Sequence, residues 1–206
     1  MAIPGFHVPT LELMSTRISG VMEQRFLQNY FIYYPSQDWV DYDLFPQSAK
    51  QGAVAMEDGM FMHHKGMDWV NLNASMRANK RRGKIVRGGS TITMQVAKNI
   101  YFTTSRNYFR KAKEILVAMR MEKEISKKDI LEHYLNIIEL GRGIFGIGKA
   151  ADYYYNRYAE ELSREQAARL IAVIPSPLKN KPTDNRSLVL SRKSRVLARM
   201  SSAEIP

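Results

Sequence analysis

Three short strings constrain the fold more than anything else in the chain. Ser48 and Gln51, Ser126 and Asp129, and Ser163 and Gln166 each set a hydroxyl three residues before an amide or an acid. At that spacing side chain and backbone cap each other reciprocally at a helix start. Beyond two of these pairs the apolar residues recur at helical spacing too. Ser126 leads into Ile130, Leu131, Tyr134, Leu135 and Ile138 before Gly141, and Ser163 leads into Ala167, Leu170, Ile171 and Ile174 before Pro175. Ser48 opens a helix expected over 49–58, which Gly59 stops. Ser90 is expected to cap a helix over 91–100, and Phe109, Ala112, Leu116 and Met119 form one apolar stripe on a helix over 107–124. Strand signals are confined to FIYYP (31–35) and the stretch 84–86, so the expected class is mainly α.

A chain of 206 residues with 45% apolar side chains is long enough for one domain with a proper core. Its 31 Lys and Arg against 20 Asp and Glu leave a net charge of +11. That excess calls for an anionic partner: nucleic acid, an anionic membrane surface or a phosphorylated substrate. Cysteine is absent, which excludes disulfides, thiolate nucleophiles and Cys-ligated zinc. The four histidines show no zinc-binding spacing. The longest stretch without a charged residue, 26–37, contains Gln, Asn, Pro and Ser and does not encode a membrane span, and the first residues lack a secretory signal.

Several groups could carry chemistry. Glu57 falls at the end of its helix among Val54, Met56 and Phe61. Burial and the negative end of the helix dipole both oppose ionisation there, as a general base working near neutral pH requires. An exposed helix-end carboxylate fits the same position. Gly88 and Gly89 precede a Ser/Thr-rich helix start whose free N–H groups would face an anion. Thr91, Gln95 and Lys98 then share one helical face, although a flexible loop before an ordinary amphipathic helix fits equally well. Arg110 and Glu114 have the spacing of an ion pair on one helix face, and the tract KRRGKIVR reads either as a solvated basic loop or as a lid over an anion.

Taken together, these segments resemble the peptidoglycan glycosyltransferases of glycosyltransferase family 51. EDGMFMHHKG supplies Glu57, Asp58, Phe61, His64 and Gly66; GGSTITMQVAKN runs from Gly88 to Asn99; RKAKE runs from Arg110 to Glu114. KKDILEHYLN, GIFGIGKAADYYY and LSREQAARLIAVIPSP succeed them in the family's order. Length and flanks are similar to the monofunctional branch. Met94 stands where many members have glutamine, Gly148 where an acidic residue is common, and Pro175–Ser176 where many bifunctional members have a functional lysine.

The resemblance implies a mainly α, lysozyme-like fold in a single domain spanning 1–206, with a globular head and a smaller membrane-facing jaw at about 67–108. It implies transfer of a growing glycan chain, held as undecaprenyl pyrophosphate, onto lipid II with inversion. Glu57 would be the base, and Glu114 the second acid, orienting substrate or a divalent cation such as Mg²⁺ or Mn²⁺; no organic cofactor is implied. Asp58, Phe61, His64, Gly88, Gly89, Ser90, Thr91, Gln95, Lys98, Asn99 and Arg110 would bind substrate, with Lys98 and Arg110 on pyrophosphate. The implied partners are lipid II and the glycan chain, an anionic membrane surface and other cell-wall synthesis proteins, but no nucleic acid. The implied place is the outer face of the bacterial cytoplasmic membrane, with the native anchor missing from this chain. A lysozyme-like hydrolase would have no use for GGSTIT followed by Lys98 and Arg110. A helical nucleic-acid-binding domain would not need Glu57, and no such binding motif is present.

Overall fold

The computed structural model describes residues 19–28, 36–84, 88–102 and 108–206. Among them the helices are α1 (Gly20–Gln28), α2 (Gln47–Glu57), α3 (Trp69–Arg82), α4 (Ile92–Tyr101), α5 (Tyr108–Glu124), α6 (Lys127–Ile137), α7 (Gly146–Tyr155), α8 (Arg164–Val173) and α9 (Ser187–Arg199). The fold is mainly α. The strands β1 (Ser36–Gln37), β2 (Glu139–Gly141) and β3 (Ile144–Phe145) form one small sheet in the order β1-β3-β2. β3 runs parallel to β1, with Ser36 opposite Ile144, and antiparallel to β2. FIYYP lies outside the described residues, as do residues 85 and 86 of the second strand candidate; Lys84 is in no strand.

Two of the three capping boxes form as read. Ser126 accepts from the Asp129 N–H while Asp129 accepts from the Ser126 N–H, and Ser163 and Gln166 do the same for α8. The helix after Ser126 ends at Ile137, short of Gly141, because residues 139–141 pair into the sheet. The Ser48 box does not form. Pro46, with φ fixed at −61°, is the N-cap, and its carbonyl accepts from Ala49 and Lys50, which leaves Ser48 inside the first turn. At α4 the cap is Thr91, one residue after Ser90: its Oγ1 accepts from the Met94 N–H at 3.1 Å and donates to the Gly66 carbonyl at 2.8 Å.

Helix α5 buries a different stripe from the one its apolar residues suggest. Phe109, Leu116 and Met119 are exposed, while Glu114, Val117, Ala118 and Met121, also at helical spacing, face inward. The tract from Arg77 is not a loop up to Gly83: it is the second half of α3. That helix is capped by the Asp68 side chain at one end and by Gly83 in the left-handed region at the other, with Lys80, Arg81 and Arg82 against the negative end of its dipole. Ser75 is its one buried residue. The jaw limits 67–108 take in α4, yet Ile92, Met94, Val96 and Ala97 are fully buried in the same core as Ile130, Leu131, Tyr134 and Leu135 of α6 and Ile171 of α8. α4 therefore packs as part of the main body. Each such fully buried Ile, Leu, Val or Met side chain contributes about 1.5–3 kcal/mol by leaving water.

The segment between α2 and α3 is held against this core by Gly66. Its φ is +89°, and a Cβ there would lie 2.9 Å from the carbonyl carbon and oxygen of Ala118 in α5. Gly66→Ala combines left-handed backbone strain with a clash against backbone that cannot move aside. It should lower the unfolding free energy by about 2 kcal/mol or more, measured by urea denaturation.

Candidate active site

A cleft of about 930 Å³ opens between the end of α2, the starts of α3 and α4, and the face of α9. Its wall brings together Glu57, Asp58, Gly88, Gly89, Ser90, Thr91, Gln95 and Lys98 from two separate sequence motifs. The last residue of α2 is Glu57, whose Oε2 accepts from Gln95 Nε2 at 3.0 Å. Its carboxyl pKa is raised above the usual value, chiefly because burial penalises the charged form; the Gln95 bond and the charges of Lys98 and Arg192 oppose that rise. Lys98, on the next turn of α4 from Gln95, is pushed in the opposite sense, its pKa lowered first by burial and then by the charge of Arg110.

Asp58 is an organiser of this wall. Oδ2 accepts from the Ile92 N–H at 2.9 Å, at the first turn of α4, and from His64 Nε2 at 2.8 Å. His64 Nδ1 accepts from the Gly66 N–H at 3.2 Å, which fixes the imidazole with its proton on Nε2. Gly89 lies so close to α3 that a Cβ would come within 2.8 Å of Leu72 Cδ1, and Ser75 Oγ donates to the Gly88 carbonyl at 3.0 Å. The glycine pair thus both lines the cleft and docks α3.

The remaining motif residues lie away from the cleft wall. Phe61 is fully buried in the core with Lys127 Nζ 4.3 Å from its ring centroid, so it supports the segment and offers no substrate contact. His64 and Asn99 are almost wholly covered and line no part of the cleft. Arg110 and Glu114 form an ion pair, and Lys111 Nζ lies 3.2 Å from the other Glu114 oxygen and donates to Ser90 Oγ at 2.9 Å. Burial, then the charges of Lys98 and Arg110, push the Lys111 pKa down to about 8. Lys98, Arg110 and Lys111 thus form one electrostatic group. Glu114 does not fit a role as ligand to Mg²⁺ or Mn²⁺: cations of the protein engage both of its oxygens, and among the described residues no three His, Asp or Glu side chains converge to hold a metal ion.

Sequence reasoning missed four residues of the cleft wall that matter for its chemistry. Asp68 and Asn71 belong to the start of α3, a helix whose polar sequence shows no stripe. Arg195 and Arg199 come from α9, whose basic string SRKSRVLARM carries no sign of its place in this cleft.

Residues 23–201 match the family described as Transglycosylase. Over 172 residues, 82% of this chain and 74% of the relative, the sequence is 43% identical to a "Biosynthetic peptidoglycan transglycosylase" of Dechloromonas aromatica (strain RCB). Proteins of the same description from Methylobacillus flagellatus (42% over 170 residues, 82% of this chain and 73% of the relative) and Acinetobacter baumannii (38% over 169 residues, 82% and 75%) are similarly related.

The raised pKa of Glu57 has a consequence for stability. A carboxyl that is harder to ionise when folded than when unfolded favours the native state at low pH; that contribution is lost as pH rises from the ordinary value of 4.5 through the raised one. Glu57→Gln removes the penalty. The variant should melt with wild type at pH 4 and above it at pH 7.5, as read by differential scanning calorimetry.

Proposed function

Because the chain belongs to the transglycosylase family, we propose that it polymerises lipid II into β-1,4 glycan strands with Glu57 as general base. Peptidoglycan glycosyltransferase activity follows from the family and from the relatives it matches. The steps within that activity are our reading of the site. The observation that carries it is the position of Glu57, a carboxyl group resistant to ionisation, in one cleft wall with Lys98 and the glycine-led start of α4.

In the proposed step the acceptor 4-hydroxyl of lipid II attacks the anomeric carbon of the growing chain from the face opposite its diphosphate. The new carbon–oxygen bond forms as the bond to diphosphate breaks, the hydroxyl proton passes to Glu57, and the electron pair leaves with undecaprenyl pyrophosphate. Gln95 orients Glu57 through its amide. Lys98, with Arg110 and Lys111 adding charge behind it, stabilises the departing diphosphate. Glu114 holds Arg110 and Lys111 in place and is a positioning residue. No step runs through a cation at Glu114.

A lipid-linked substrate puts the reaction at a membrane surface, which in this reading is the outer face of the bacterial cytoplasmic membrane. No described helix is long and apolar enough to cross a membrane. Contact would come from α3, which exposes Trp69, Val70 and Met76 and carries Arg77, Lys80, Arg81 and Arg82, and from the exposed Phe109 and Leu116 of α5. Aromatic and aliphatic groups enter the interface while each cation adds about 1 kcal/mol near anionic headgroups. Other cell-wall synthesis proteins are further partners in this reading.

Glu57→Gln keeps the size and the hydrogen-bonding capacity of the side chain but removes the proton acceptor. Polymerisation of lipid II should fall at least about 100-fold, followed by gel separation of labelled glycan strands. Near-normal turnover by the folded variant would overturn the assignment. The second expectation concerns the surface: wild type should co-sediment with vesicles containing anionic lipid in preference to neutral ones, and lose that preference in 1 M salt, where screening shortens to about 3 Å. Changing Lys80, Arg81, Arg82 and Lys84 together to Gln should abolish it. Wild-type sedimentation by that variant would remove α3 from the contact.

A further inference from the structure

A second cavity, of about 560 Å³, shares no lining residue with the cleft. Its apolar lining comes from two places: Trp39, Val40 and Leu44 in the segment after β1, and Tyr158 and Ala159 in the turn after α7. Asn156, in the left-handed region at φ 50°, ends α7 and turns the chain so that 157–161 run along the cavity. Leu44 is 49% exposed and Tyr158 77%. The fold thus leaves large apolar groups open at a concave surface, where ligands and partners bind.

The walls are fixed in advance. Val40 donates to Asn136 Oδ1 at 2.9 Å and its carbonyl accepts from Asn136 Nδ2 at 2.8 Å, while Trp39 packs edge-on against His133 with ring centroids 5.1 Å apart. Gly148 lets this segment lie directly on α7: a Cβ there would fall 2.5 Å from the Asp38 carbonyl oxygen and 2.7 Å from Val40 Cγ2. Any side chain at position 148 would push Asp38 and Val40 off the helix and reshape the cavity. A cavity whose walls are already ordered binds with little further loss of entropy.

Charge identifies the occupant. The acids lining the cavity are Asp38, Asp152, Glu160 and Glu161, against Arg157, on a chain whose net charge is +11. Lys149 offsets two of them, Asp152 at 2.7 Å and Asp38 at 3.4 Å, and Glu161 accepts from the Tyr158 N–H at 3.0 Å. Glu160 has no ion pair or hydrogen bond among the described residues. An acidic rim round an apolar floor fits a segment that carries Lys or Arg beside a large apolar side chain. The rest of this cationic molecule repels such a segment, so encounter is directed to this face, and the same sign turns the face away from an anionic membrane. We propose that the cavity docks a basic peptide segment of a partner protein, with its apolar side chain on Trp39 and Leu44 and its cations at Glu160 and Asp38. The inference does not depend on the chemistry of the cleft.

The test follows the fluorescence anisotropy of a labelled peptide in which Leu and Trp are flanked by Lys and Arg. Wild type should bind it saturably. A version with Ser in place of Leu and Trp, and one with Glu in place of Lys and Arg, should each bind at least about 10-fold more weakly. Glu160→Lys and Leu44→Asn should weaken the first peptide by a similar factor while melting like wild type. Gly148→Asp separates shape from charge: it adds an acid, so attraction alone would strengthen binding, whereas displacement of the 38–40 wall weakens it. Should that variant not fold, the two exposed positions carry the test. Absence of saturable binding, equal binding of the Ser peptide, or unchanged binding by both Glu160→Lys and Leu44→Asn overturns the proposal. So does self-association of wild type in sedimentation velocity that Glu160→Lys abolishes, because the occupant is then a second copy of this chain.

Discussion

The Asp58 carboxylate holds the site together. One buried oxygen, Oδ2, takes the first free N–H of α4 and the imidazole of His64 at once. The negative charge sits where the dipole of α4 is positive, so the contact is favourable in the dry interior as well as geometrically fixed. Because Asp58 comes directly after Glu57, tying it to Ile92 sets the end of α2 against the start of α4 and brings Gln95 and Lys98 to Glu57. The two motifs, 34 residues apart in the chain where they touch, become one wall through this contact. His64, Phe61 and Gly66 sit behind it: His64 orients Asp58, Gly66 allows the turn and accepts from Thr91, and Phe61 anchors the segment in the core.

Motif membership and substrate contact are therefore different things in this chain. Of the residues in EDGMFMHHKG, Glu57, Asp58 and Gly59 reach the cleft wall, and Asp58 spends its hydrogen-bonding capacity on the fold. In RKAKE, the ion pair between Arg110 and Glu114 lies away from the wall, and its effect on Lys98 is transmitted through charge. A buried glutamate such as Glu114 is tolerable because cations engage both oxygens; with either removed, the remaining charge would be costly in so covered a position.

Where local chemistry decides, the chain is legible as it stands. The boxes at Ser126 and Ser163 form because a residue pair and its own backbone suffice to make them. Legibility fails where a tertiary contact overrules a local preference. Ser90 and Thr91 are equally good caps, and Gly66, distant in sequence, selects Thr91 by accepting its hydroxyl. On α5 two stripes have helical spacing; the inward one contains Glu114, which hydrophobicity discounts, so Phe109 and Leu116 look like core until the cations beside Glu114 are seen. α3 has no apolar stripe and is held by its caps and by Gly89 against Leu72, none of which a periodicity shows. Arg195 and Arg199 are plain in the sequence as charges, but their address is set by the packing of α9 across α2 and α8.

Burial then acts in opposite senses on groups that face one another. It raises the pKa of Glu57 and lowers those of Lys98 and Lys111, so desolvation favours the neutral form of each. The charge of Lys98 is one of the influences that hold the Glu57 pKa down. A diphosphate arriving at Lys98 stabilises the protonated lysine and, through its own negative charge, offsets the pull of that lysine on Glu57. In the proposed reaction the carboxylate is then most basic while the donor is in place, when the acceptor hydroxyl must lose its proton. As diphosphate departs the offset goes with it, Glu57 becomes more acidic, and the proton it took is more readily released to water. The mutual repulsion among Lys98, Arg110 and Lys111, which Glu114 already offsets at Arg110 and Lys111, is thus relieved further by the substrate.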